Sequence, residues 1–388
     1  MRVYIMQIIA TMQGPLPYTK VESGQYSVGY DNEETAWKAM MDDLDYSIGV
    51  LTALMNTDPS FNELTTEDRI YQGDYKKWIK FANSLKLRIA IRISNAVPEY
   101  AQEKAEEAVS HPYGVMDSND CDAYDNITAT NYKNGLASVN SWGEVRANAC
   151  IVSFMNGYQD PRCEAYFTKS SVSGDYDYIG VRSGIQGITT SMFSTYSTVK
   201  VETKTPMLIF NAAEVAFLRA EGALKKWNMG GTAEEFYKEG IRLSFNEHGI
   251  SGADAYIANN TNVPADYICP LNAAYNYTNP CKLTVAWDKT GANADEDNLQ
   301  RILTQKMIAN FPIGNETWAD FRRTGYPAVF PAHDNLSTQG VTKERQQRRL
   351  RFSEDEYNSN GANVTEACTF LSNGQDTDAT DLWWAKKD

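Results

Sequence analysis

Apolar residues recur at three- and four-residue spacing along much of this chain, and the pattern predicts helices over 2–13, 33–55, 74–95, 98–110, 145–156, 211–227, 232–248, 296–310 and 315–323. Strand signals are few and short, so the fold class expected is mainly α. From Asp74 to Asn95, Trp78, Phe81, Ala82, Leu85, Ile89 and Arg92 fall on one helical face, while Leu87, Ile91 and Ile93 add a second. A helix apolar on two sides belongs deep in a core. Pro98 then opens the next helix where a missing amide costs nothing, and so short a link forces the two to lie antiparallel. The arrangement returns at Asn211–Trp227 and Thr232–His248, joined by Asn228-Met229-Gly230-Gly231. There, large Phe217 and Leu224 with small Ala220, followed by Ala233, Tyr237 and small Gly240, match a tetratricopeptide-like hairpin. Glu221 stands where that repeat usually has Gly or Ala, so the array is degenerate rather than a regular solenoid.

Gln305–Pro327 carries two short helical patterns separated by Pro312-Ile313-Gly314. Met307, Ile308 and Phe311 form the first apolar stripe, Trp318 and Phe321 the second, and Gly325 and Pro327 end it. Arg322 and Arg323 sit beside Trp318, where guanidinium groups can cover an indole face or pair with a buried carboxylate. We read these residues as parts that lock the final helices onto the array.

Charge narrows the partners. With 36 Lys and Arg against 50 Asp and Glu, the net charge of -14 argues against nucleic acid or an anionic membrane surface. The one basic run, Lys343–Arg351, reads as a solvated or salt-bridged helix. No stretch approaches the apolar length of a membrane span. The six cysteines include no C-x-x-C pair, which disfavours zinc; Cys269 and Cys281 flank an aromatic loop and read equally as a bridge or as two free thiols. His111, His248 and His333 are scattered, and no catalytic or phosphate-binding motif stands out, so no catalytic residues are assigned.

Gly73–Ser94, Asn211–Phe245, the opening Tyr4–Val21, Arg348–Ala367 and above all Gln305–Pro327 together resemble the SusD/RagB family, nearest its SusD-like 2 branch. The terminal Leu382-Trp383-Trp384 is similar to endings seen there. The resemblance implies one SusD-like domain over 1–388, N-terminally truncated, with its helical scaffold mainly at 1–110, 211–250 and 295–325. It implies a lipoprotein on the outward face of the outer membrane of Bacteroidetes-type bacteria. Such a protein binds a glycan, or in some members a peptide, and passes it to a SusC-like TonB-dependent transporter. No enzyme activity and no cofactor are implied. The membrane contact would be a lipid anchor outside this chain.

In the family, ligand-contacting aromatics commonly lie in irregular insertions, which points to a loop-rich segment at about 117–205; a second aromatic loop at about 264–290 reads equally as a ligand contact or as a transporter-facing surface. A sugar offers an apolar C–H face to a ring and hydroxyls to polar groups at the rim. The candidates are Trp142, Tyr124, Tyr176 and Tyr178 in the first segment and Tyr275, Tyr277 and Trp287 in the second. Alternating with Asp175 and Asp177, Tyr176 and Tyr178 are expected on one side of an extended strand. Acidic runs at 117–125 and 288–297 offer oxygens of the kind calcium takes, but neither follows the twelve-residue EF-hand order, and both read as solvated loops. The rival readings are a glycoside hydrolase, for which Glu214 and Glu221 are possible carboxylates, and a tetratricopeptide interaction scaffold. The long insertion argues against the second.

Overall fold

A computed structural model describes residues 1–172 and 174–385. Helices α1 (Arg2–Gln13), α2 (Glu33–Thr57), α3 (Tyr75–Ile93) and α4 (Pro98–Ser110) come first. After a short strand β1 (Ala123–Asp125), the insertion carries α5 (Gly135–Ser141), α6 (Ala149–Tyr158) and α7 (Cys163–Tyr166). Strand β2 (Met207–Phe210) pairs antiparallel with β1 and leads into α8 (Ala212–Leu224) and α9 (Ala233–Glu247). Then follow α10 (Ala253–Ile257), α11 (Ala294–Ala309), α12 (Gly314–Thr324) and α13 (Glu354–Cys368).

Several of the main helices are started by a side-chain cap. Asn32 caps α2, the Asp74 carboxylate accepts from the Lys76 and Lys77 amides, and Thr232 with Glu235 makes a reciprocal capping box on α9. The α8–α9 hairpin closes as its small residues foretell: a Cβ on Gly240 would stand 2.7 Å from the Phe217 ring, so only glycine allows this approach. Arg219 stabilises the intervening turn by donating to the Met229 carbonyl at 2.8 Å while its guanidinium covers Phe236 at 3.9 Å. Helix α3 lies at the centre, packed against α2, α4, α8 and α12, and from Ile79 onward nearly all of it is buried.

That centre is ionic as well as apolar. Arg88 of α3 donates in a fork to Glu214 of α8 (2.8 Å twice), and Arg92 pairs with Glu316 of α12. Lys306 of α11 reaches Asp320 at 2.9 Å, and Arg323 forks onto Glu221 at 2.5 and 2.7 Å. Four cations thus meet four anions with all eight side chains buried. Burial alone raises the Asp320 carboxyl, but Lys306 and Arg323 outweigh it and hold the group at about 2. Glu214 and Glu221 are therefore consumed by the scaffold, and Glu221 occupies its exceptional repeat position because Arg323 of a distant helix pairs there.

Three expectations need correction. The helix predicted over 145–156 starts only at Ala149, because residues 147–149 run extended to pair with Val181 and Ser197, and Asn148 then caps the helix. No strand forms at 174–178; the chain bends there, tied by the Ser170 amide donating to the Asp177 carbonyl. Lys343–Arg351 is not a helix but a turn and an extended strap. Its expected salt bridges are present, since Arg348 and Arg349 are buried and pair with Asp381 and Asp376, while Lys343 and Arg351 stay exposed. Of the two readings open for Cys269 and Cys281, the structure shows the second: both are free, buried thiols.

A run of adjoining cavities as the candidate ligand site

The extended residues 179–183 lie against the start of α6, with the Ala149 amide donating to the Val181 carbonyl and the Val181 amide to that of Ala147. On one side of this segment opens a cavity of about 460 Å³ whose walls include Glu144, Arg146, Arg182, Ile185 and Phe193. Arg146 is oriented by donating to the Phe193 carbonyl at 2.7 Å and the Gly143 carbonyl at 2.8 Å. Arg182 is only 8% exposed and forms no carboxylate pair among the described residues; it donates to the Asn276 carbonyl at 3.2 Å and lies 4.6 Å over the Tyr277 ring. Burial pushes its pKa down, and no nearby carboxylate reverses that shift.

A second cavity of about 470 Å³ shares Asn148 and Ser183 with the first. Its walls are chiefly apolar, from Ile151 of α6, Met307 of α11, Phe311, Val329 and Phe330, with Trp318 of α12 at its end. Trp318 also lines a third cavity of about 490 Å³, bounded by the 331–350 strap through Asn335, Thr342 and Gln346 among others. Three depressions, each mainly apolar with polar side chains set into its wall, thus adjoin where the insertion, α12 and the strap meet. Volumes of this size are typical of small-ligand sites.

The seven aromatics expected at a site divide. Tyr176 and Tyr178 share the wall of a separate, smaller cavity of about 180 Å³ with Asn156, Asp175, Asp266 and Tyr267. They meet through a bend rather than by strand alternation. Trp142 caps α5 with 67% of its surface exposed, next to Gly143 of the first cavity. Tyr124 donates its hydroxyl to Glu247, and Tyr275 packs edge-on to His333 at 5.1 Å. Tyr277 lies between Arg182 and Phe330, and Trp287 packs on Tyr237 at 5.2 Å. The rings of these last four are engaged by neighbouring side chains, as filling beneath long loops demands.

Sequence reasoning missed Arg182 and Phe330, which stand in loops without periodicity, and gave Trp318 a structural role only. The single signal for Trp318 was its place in the most distinctive segment. At the acidic runs, no cluster of metal-binding side chains forms among the described residues.

Comparison with known proteins places this geometry. A family model for SusD-like proteins, described as Susd and RagB outer membrane lipoprotein, matches residues 1–385. No curated protein matches. A solved SusD-like protein from Bacteroides thetaiotaomicron is 49% identical with a TM-score of 0.95, covering 100% of this chain and 80% of that one. A chitin-binding SusD homolog from Flavobacterium johnsoniae is 38% identical with a TM-score of 0.93, covering 99% and 79%. A SusD homolog from Bacteroides uniformis is 41% identical with a TM-score of 0.90, covering 100% and 80%. With the family model spanning nearly every residue and the helical array superposing on these structures, the chain belongs to the SusD/RagB family.

Proposed function

We propose that the protein is a cell-surface glycan-binding subunit that holds its ligand for delivery to a SusC-like TonB-dependent transporter. The family is described as an outer membrane lipoprotein, and a homolog similar along 99% of this chain binds chitin. Among the described residues no helix is long and apolar enough to cross a membrane. The observation that carries the reading is the run of cavities walled by the insertion, where apolar rings alternate with amides, hydroxyls and guanidinium groups as a sugar requires. The tyrosine-lined cavity offers a second, smaller contact for the same ligand class.

The ligand is bound and passed on without covalent change. A glycosidase acid must keep its proton near neutrality, which takes a raised pKa. Asp266 of the tyrosine cavity is shifted the other way, held low by the Asn279 amide and by Lys282. Isothermal titration against a panel of oligosaccharides and peptides, with co-purification of the full-length protein from membranes, tests the proposal. Glycan binding without turnover, and recovery with a barrel transporter, is expected. Peptide binding alone, or release of shorter sugars, would overturn it.

A further inference from the structure

We infer that the three adjoining cavities act as one through-running cleft that grips a linear glycan along its length, with Trp318 as the central stacking platform. This rests on the glycan reading above and specifies the class of glycan and the residue at its middle. Continuity comes from shared walls. Asn148 and Ser183 belong to the first and second cavities and are joined by a 3.0 Å hydrogen bond, while Trp318 belongs to the second and third. A ligand in one cavity therefore lies against side chains that also wall the next, and the three together exceed what a mono- or disaccharide occupies.

Trp318 is held as a platform must be. The Arg322 guanidinium lies 3.6 Å from the ring centre on one face, and Arg322 is itself backed by Trp384 at 4.9 Å. The indole N–H donates to the Gln347 carbonyl at 3.0 Å, which fixes rotation within the ring plane. With one face covered and the N–H edge tied, the surface Trp318 contributes to the two cavities comes from its other face and remaining edge. A ring so constrained loses little conformational freedom when a sugar stacks on it. The neighbouring apolar walls at Phe311 and Phe330 suit the C–H faces of a chain, and Arg146 and Arg182 on one side with Asn335, Thr342 and Gln346 on the other suit its hydroxyls.

The experiment measures affinity by calorimetry for β-1,4 oligomers of N-acetylglucosamine, glucose, xylose and mannose, two to six units long, and for the same hexamers reduced at the end. In the series that binds, the hexamer should bind at least about tenfold tighter than the dimer, roughly 1.4 kcal/mol. Reduction of the end should leave the hexamer's affinity unchanged. Trp318→Ala should weaken the hexamer about tenfold or more, and Trp318→Phe should restore most of that loss. Because Trp318→Ala also uncovers Arg322, Ser337→Trp supplies an independent variant: Ser337 is exposed and lines the third cavity, so its replacement should weaken the hexamer and spare the dimer. A dimer as tight as the hexamer, dependence on the free end, or hexamer binding unaffected by both cavity variants overturns the cleft while leaving the glycan function standing. Failure of every oligomer here to bind overturns the cleft as a β-1,4 glycan site, and failure of the wider oligosaccharide panel as well overturns both.

Discussion

Glu221→Ala isolates the cost of leaving a charge unpaired in this core. Arg323 and Glu221 are each about 1% exposed, and their side chains share two hydrogen bonds of 2.5 and 2.7 Å. Truncating the carboxylate leaves Arg323 with Asp320 at 3.2 Å, a partner already taken by Lys306 at 2.9 Å. Two charge-assisted bonds at about 1.5–3 kcal/mol each, or equally the known cost of breaking a buried pair, give a loss of about 3–5 kcal/mol. Unfolding entropy of roughly 2.1 cal/mol/K per residue over 388 residues is about 0.8 kcal/mol/K, so the midpoint should fall by about 4–6 °C. Urea denaturation measures the free energy directly and calorimetry the midpoint.

The double variant Glu221→Leu with Arg323→Met decides the mechanism. If the single loss comes from an orphaned guanidinium, removing both charges should cost at least about 2 kcal/mol less than the two single losses added together. A Glu221→Ala loss below about 1 kcal/mol, or a double variant as poor as that sum, would refute the reasoning.

Two further predictions concern other parts of the scaffold. Burial raises the Glu247 carboxyl to about 8, with Asp122 adding to the rise and Tyr124, Asn211 and Arg162 opposing it. The native state therefore holds a proton that the unfolded chain releases near pH 4.5, and this contribution to stability disappears as pH climbs toward 8. Glu247→Gln should accordingly gain on the parent protein between pH 5 and 8 in paired urea titrations; a constant difference would contradict the assignment. Gly157 in α6 faces backbone, since a Cβ there would stand 2.1 Å from the Ala265 nitrogen and 2.3 Å from the Val263 carbonyl oxygen. Gly157→Ala must push that segment outward, and we expect a loss of about 2 kcal/mol or more, measured by thermal melting.

The scaffold was legible because its helices obey local rules. Periodicity and caps located eight of the main helices within about three residues, and small Gly240 opposite Phe217 was readable from the repeat spacing alone. Helix α13 was not, since only Val364 and Ala367 of it are buried and its axis breaks at Asn360, which leaves little apolar rhythm to detect. The basic strap failed for a different reason. Its partners Asp376, Asp378 and Asp381 lie some thirty residues downstream, so counting charges within the run could not reveal that they would be neutralised. The cleft was hidden most completely, because its walls come from residues near 146, 182, 307 and 330 that share no local signature.

The ionic core and the cleft meet in one helix. On α12, Glu316, Asp320 and Arg323 recur at four- and three-residue spacing, so all three point the same way, onto Arg92, Lys306 and Glu221. Three such contacts with three different helices fix both the rotation of α12 about its axis and its position along it. Trp318 lies off that face, and the rotation so fixed turns its ring toward the cavities while Arg322, one turn on, fills the space behind. An apolar seam of equal volume would hold α12 at least as tightly. The three ion pairs on α12 therefore bear on the proposed ligand site as well as on the core: they set where Trp318 stands.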